Sequence, residues 1–148
     1  MHNFYMKEAL KEAEKAYEKK EVPVGAVIVY QNKIIARAHN IRENKQKTTG
    51  HAEILAIEKA NKKLKSWRLE DCDLYVTLEP CAMCAGAIMQ ARIKNVYYSL
   101  ADPKNGAIGG SFNLYDNNFN HTVNVNYGIL EMESKTLIQN FFKTLRGK

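Results

Sequence analysis

Two short motifs constrain this chain more than anything else in it: His51-Ala52-Glu53 and, after a helix and a strand's worth of residues, Pro80-Cys81-Ala82-Met83-Cys84. A Cys-x-x-Cys pair with one imidazole supplies a set of ligands that zinc takes. Three protein ligands leave a tetrahedral position open for water. Whatever fold the chain adopts must bring these two segments to one point. An open position indicates chemistry rather than a purely structural metal. Glu53 can then lie over that position as a proton carrier without being a ligand. Cys81 and Cys84 stand at i and i+3 at a helix start, so both sulfurs project from one face. There the unpaired N–H groups and the helix dipole favour thiolates.

The pattern around the motifs predicts alternating helices and strands. Met6, Leu10, Ala13 and Tyr17 share one face of a helix between Asn3 and Lys20, ending near Glu21 ahead of Pro23. Val24–Tyr30 and Lys33–His39 read as a β-hairpin turning at Gln31-Asn32. Residues 40–50 are polar and read as structureless. Helices follow over 53–64 and 81–91, the second opened by Pro80, with strands at 74–78 and 95–99. The Gly-, Asn- and Asp-rich stretch 100–122 is expected to hold binding surface or a short element. A weaker strand at 123–127 precedes a terminal helix, 131–145, with Leu137, Ile138, Phe141, Phe142 and Leu145 as its apolar face. Gly86, flanked by Ala85 and Ala87, predicts a smooth helix side on which another helix packs closely. The order implies an α/β fold of three layers, α/β/α, with a central mixed five-stranded sheet covered by helices on both faces.

Composition narrows the class. A chain of 148 residues, 45% apolar and 26% charged, is expected to form one domain over 1–148 with a single core. It has no apolar run long enough to span a bilayer, and Met1 to Glu8 has no signal-peptide core, so a cytoplasmic location is expected. Three cysteines argue against a disulfide framework and for metal or redox use. The net charge of +6 is crowded into runs at 42–47, 59–68 and 143–148, which suits an anionic partner. Arg42, Lys45 and Lys47 lead directly into His51, giving the metal a basic rim.

Charge balance then defines the carboxylate's task. Two thiolates cancel the dication, so water is less polarised than at a site of three neutral imidazoles, where its pKa reaches about 7. A base is needed. Glu53 can take the water's proton, give it to a ring nitrogen and later carry one to a departing amine, which is hydrolytic deamination of a heteroaromatic ring. A closed structural site would need a fourth ligand, and Cys72 has no partner in register; it reads as a small buried apolar residue. Thioredoxin-like use of Cys-x-x-Cys would not require His-Ala-Glu upstream. Glu79 competes as proton carrier, or serves as an acceptor supporting the ligands. His39 reads as structural, Tyr97 and Tyr98 as strand residues, and His121 as a candidate substrate contact.

The motifs match the known H-x-E…P-C-x-x-C signature of zinc nucleobase deaminases. With Glu21-Val22-Pro23-Val24-Gly25-Ala26, Thr77 to Ala87, Asp102-Pro103-Lys104-Asn105-Gly106-Ala107 and Phe141-Phe142, the chain resembles the bacterial tRNA-specific adenosine deaminases over nearly its whole length. That resemblance implies a cytidine deaminase-like fold, a homodimer, one Zn2+ per subunit held by His51, Cys81 and Cys84, and conversion of adenosine to inosine at the wobble position of a tRNA anticodon arm. It also implies that Asn40 binds the flipped base and that Val22, Pro23 and Ala52 shape its pocket. Asp102 would meet flanking nucleotides, and Phe142, Lys143 and Arg146 would support the RNA. Lys47-Thr48-Thr49-Gly50 departs from the acidic-proline turn ending in Ala that relatives usually carry. Two other readings remain: a small-molecule deaminase of guanine, cytosine or a nucleoside, and a silent zinc-holding subunit. Glu53 speaks against the silent subunit. The basic rim, the Asp102–Ala107 segment and the terminal Phe pair favour tRNA over the small molecule.

Overall fold

A computed structural model describes residues 1–146; Gly147 and Lys148, the end of the last basic run, lie outside them. Helix α1 (His2–Glu18) lays Tyr5, Met6, Ala9, Leu10, Ala13 and Ala16 on the sheet. Gly25, the first residue of strand β1 (Gly25–Tyr30), lets the helix rest directly on the strand, because a Cβ there would overlap the Ala9 carbonyl and the Ala13 amide. Strand β2 (Lys33–His39) returns through Gln31 and Asn32, both left-handed at φ 49° and 63°. Such a two-residue turn follows the strands' own twist.

The segment expected to be structureless holds a short helix, α2 (Arg42–Lys45). Local sequence does not account for it; Glu21 does. Its fully buried carboxylate accepts the Glu43 and Asn44 N–H groups at 3.1 and 2.6 Å and the Asn44 side chain at 2.6 Å. Ile41 N–H to the Gly50 carbonyl, 2.9 Å, closes the loop, and a Cβ on Gly50 would press on the Arg42 backbone.

The remaining elements fall close to their predicted places: α3 (Ala52–Leu64), β3 (Cys72–Leu78), α4 (Ala82–Gln90), β4 (Asn95–Leu100), β5 (Asn124–Tyr127) and α5 (Glu131–Arg146), with a 3-10 turn at Leu114–Asp116 in the long loop. Cys72 opens β3 and is fully buried, as its apolar reading requires.

The sheet order is β2-β1-β3-β4-β5; β1 runs antiparallel to β2 and β3, while β3, β4 and β5 are parallel. Side chains alternate between two cores. Ile28, Leu74, Val76 and Val96 pack with Ala56, Ala60 of α3 and Ala85, Ile88 of α4; Val27, Val29 and Tyr75 pack with Tyr5, Met6 and Ala9 of α1. Tyr97 stacks on Tyr75 at 4.6 Å and Tyr98 on Tyr127 at 5.6 Å, so both serve the sheet. Helix α5 lies on the α1 side, its Phe141 edge-on to Tyr17. Its predicted apolar face is only partly used: Phe141 is buried, but Phe142 and Leu145 remain 40% and 49% exposed. The start of β1 and the end of β3 meet at one end of the sheet, among the strand termini, where Gly25 N–H donates to Thr77 Oγ1 at 3.1 Å. Both motifs open onto that end, as ligand sites at the carboxyl ends of parallel strands generally do.

Candidate active site

His51 and Cys81 occupy matching positions, each the extended residue immediately before a helix, α3 and α4 respectively. Cys84 lies one turn into α4. Two helix N-termini thus converge, and their dipoles favour negative charge between them. The three donor atoms lie within 4.8 Å of one another. His51 Nδ1 faces both sulfurs, 3.7 Å from Cys81 Sγ and 3.5 Å from Cys84 Sγ. At about 2.3 Å from zinc to sulfur and about 2.0 Å to nitrogen, tetrahedral angles set the sulfur–nitrogen edge at roughly 3.6 Å. The donor set and its spacing therefore fit a tetrahedral zinc ion.

Ionisation follows the same contacts. The Cys84 thiol donates to Cys81 and, with His51, holds the Cys81 sulfur down at about 3, as a thiolate. The same contact, with burial, pushes Cys84 up. Hydrogen bonding to Cys81 pushes His51 up as well. The three groups share protons through these contacts, and a dication displaces protons from such a set.

Glu53 stands in the first turn of α3, 4% exposed, with Oε1 lacking any hydrogen-bond partner. Burial raises its carboxyl to about 7, partly offset by His51 and a contact with the Cys84 thiol. A buried carboxyl poised near neutrality can both accept and release a proton. The unpaired oxygen is the second sign that this cluster is built to hold something more.

Asn40 is brought to the site directly: its Oδ1 accepts the Ala52 N–H at 2.9 Å, filling an orphan donor at the start of α3. Its own N–H donates to the Val24 carbonyl at 3.2 Å, which sets Val22 and Pro23 beside it, Pro23 buried and Val22 half-buried. His39, next in chain, is structural as expected, held by Glu12 at 3.2 Å and Lys19 at 3.2 Å. Asp102 is half-buried and uses Oδ1 to cap its own loop, accepting from Lys104 and Asn105 N–H at 3.1 Å.

Phe142, Lys143 and Arg146 are exposed near the end of α5, which Phe141 ties to the end of α1 nearest Glu21 and Pro23. His121 is placed elsewhere. Its Nε2 lies 2.7 Å from the Ile93 carbonyl, beyond the far end of α4 and before β4 begins, so it cannot reach this chain's cluster. Gly86 also differs from expectation: a Cβ there meets nothing within 4 Å, so no helix of this chain packs on it.

Sequence reasoning missed Glu21 and Tyr115. Tyr115 donates its hydroxyl to the Ala85 carbonyl of α4 at 2.7 Å, and burial pushes its phenol up. Neither shows a local signal, because each acts on a segment far away in sequence.

Fold and site define a class: a cytidine deaminase-like fold carrying a buried carboxylic acid and a His–Cys–Cys group that could hold a metal ion. The chain belongs to the MafB19-like deaminase family, whose model matches residues 1–146. It is 52% identical to a tRNA-specific adenosine deaminase of Bacillus subtilis (strain 168), over 97% of this chain and 90% of that protein. It is 47% identical to one of Aquifex aeolicus (strain VF5), over 97% and 95%. A solved structure from studies of A-to-I editing by tRNA:A34 deaminases at the wobble position of transfer RNA is 42% identical, with a TM-score of 0.86 over 90% of this chain and 98% of that one.

Proposed function

We propose that this chain deaminates adenosine to inosine at the wobble position of a tRNA anticodon, using water and releasing ammonia. The observation that carries the chemistry is the buried Glu53 carboxyl, with one oxygen unpartnered, beside His51, Cys81 and Cys84. The substrate rests on relatives of nearly full length that bear this activity in their names. Those three residues would hold one zinc ion per subunit, which would supply Lewis-acid activation of water. Glu53 is the catalytic proton carrier: it accepts a proton from the attacking water, delivers it to the purine ring nitrogen, and transfers another to the departing amine. Asn40, its side-chain oxygen committed to Ala52, turns its amide nitrogen to the base, while Val22, Pro23 and Ala52 wall the pocket.

Outside the pocket, the exposed Arg42, Lys45 and Lys47 form the basic rim, and Asp102, Phe142, Lys143 and Arg146 contact the RNA. The chain acts as one catalytic domain in the cytoplasm; among the described residues no helix is long and apolar enough to cross a membrane. It works as a homodimer. The uncovered side of α4 at Gly86, flanked by the exposed Ala82 and the half-buried Met83 and Ala87, is where a second copy fits.

Purified protein is incubated with total tRNA and, separately, with free guanine, cytosine and adenosine. Inosine formed in tRNA alone is the expected result. Ammonia released from a free base or nucleoside, with tRNA untouched, overturns the reading.

A further inference from the structure

The carboxylate of Glu79 has a different situation from that of Glu53, although both lie close to Cys81. It is 3% exposed and meets main-chain donors on both oxygens: Asp102 N–H on Oε1 at 2.9 Å, and Ile108 and Gly110 N–H on Oε2 at 3.1 and 2.8 Å. Among the described residues no lysine or arginine pairs with it, so these N–H groups are its compensation, as in an anion-binding nest. The backbone repeats the arrangement. Glu79 N–H donates to the Leu100 carbonyl at 2.9 Å, and the Pro80 carbonyl accepts Ala107 N–H at 2.9 Å.

Two glycines make room for this. A Cβ on Gly106 or Gly110 would run into the Glu79 carboxyl and the Asp102 carbonyl. Ser111 N–H to the Gly106 carbonyl, 2.9 Å, and Gly109 N–H to the Phe112 carbonyl, 3.0 Å, then fold the following residues into a tight hairpin. What the loop leaves outside is Pro103, Lys104 and Asn105, with Phe112 50% exposed. A cation and an aromatic ring suit a phosphate and a nucleobase.

We propose that Glu79 is a positioning residue: its carboxylate clamps the 102–110 loop at the mouth of the site and so sets how tightly the RNA is held, without touching the substrate. This rests on the tRNA reading for its consequence, but not for the clamp itself. Glu79 is not the proton carrier in this proposal, because loop N–H groups already occupy both of its oxygens.

The test combines kinetics with hydrogen exchange on the zinc-loaded protein. Glu79→Gln turns one acceptor into a donor facing N–H groups. With an anticodon stem-loop as substrate, KM is expected to rise about tenfold while kcat stays within about threefold, with zinc content unchanged. Amide exchange at Asp102, Ile108 and Gly110 should quicken, while β1 and β3 stay protected. Gly106→Ala, which wedges the loop off an intact carboxylate, should reproduce the KM effect. Lys104→Ala, on an exposed residue that leaves the fold alone, should raise KM only. A fall in kcat at constant KM, loss of zinc, or unchanged exchange in Glu79→Gln overturns the clamp. Absence of tRNA deamination by the wild-type protein defeats the function reading instead, and exchange alone then decides the clamp.

Discussion

Glu53 and Glu79 lie on either side of the same cysteine motif, and both are buried carboxyl groups. At the start of α3, Glu53 has an oxygen with no partner and is raised to about 7 by burial. At the base of the 102–110 loop, Glu79 has its oxygens filled by main-chain N–H groups. Residue type and depth do not separate them; hydrogen-bond satisfaction does. A buried acceptor left open costs about 1–3 kcal/mol, more if charged, and a fold retains that cost where the group must exchange protons. A filled one stabilises the segment that fills it. The open oxygen fits the chemistry proposed for Glu53, and the filled ones fit the clamp proposed for Glu79.

Exchanging each carboxyl for an amide breaks or upholds this contrast most sharply. Glu53→Gln should retain its zinc yet lose turnover by about two to four orders of magnitude, the worth of positioned acid–base catalysis. If Glu79→Gln lost as much, measured as inosine formed per chain, the two carboxyl groups would not differ in kind.

The next effect is a stability one, in protein stripped of metal by a chelator. The folded chain keeps a proton on Glu53 that the unfolded chain releases, because its carboxyl rises from 4.5 to about 7. Glu53's own contribution to stability should therefore be fully present at low pH and be lost as pH rises between those values, by on the order of 3 kcal/mol, against the opposite slope that the depressed Cys81 thiol adds over the same range. His51, also raised, adds a further fall above its ordinary 6.5. Thermal unfolding of the wild type and of Glu53→Gln across pH should show the Glu53 part as the difference between the two profiles from 4.5 to about 7, with the His51 and Cys81 parts common to both; parallel profiles would assign no slope to Glu53.

The smallest effect is at Asn40. Asn40→Ala removes the acceptor for Ala52 N–H at the start of α3 and should cost about 1 kcal/mol, read from denaturant midpoints. A loss well beyond that would mean that Asn40 supports more than one end of a helix.

Hydrophobic periodicity and the two motifs already specify most of the strands and helices, since each signal sits within one turn or one hairpin. The candidate metal ligands are legible for the same reason. Cys-x-x-Cys at a helix start fixes two sulfurs locally, and only His51 has to arrive from outside. The errors have a common character. The helix at Arg42–Lys45 forms because Glu21 caps it from another segment. His121 faces the Ile93 carbonyl because β4 and β5 are parallel and place it at the sheet's other end. Gly86 finds no helix in its own chain.

From residue order alone come most of the elements, the three-layer arrangement, the His–Cys–Cys set and the proposal of Glu53 as acid and base, all of which depend on spacing within a few residues. Tertiary structure decided what distinguishes one buried carboxylate from another. Whether Glu79 meets three N–H donors depends on a loop more than twenty residues further along the chain folding back onto it. Hydrogen bonds act over about 3 Å, and no local pattern encodes which distant amides come that close.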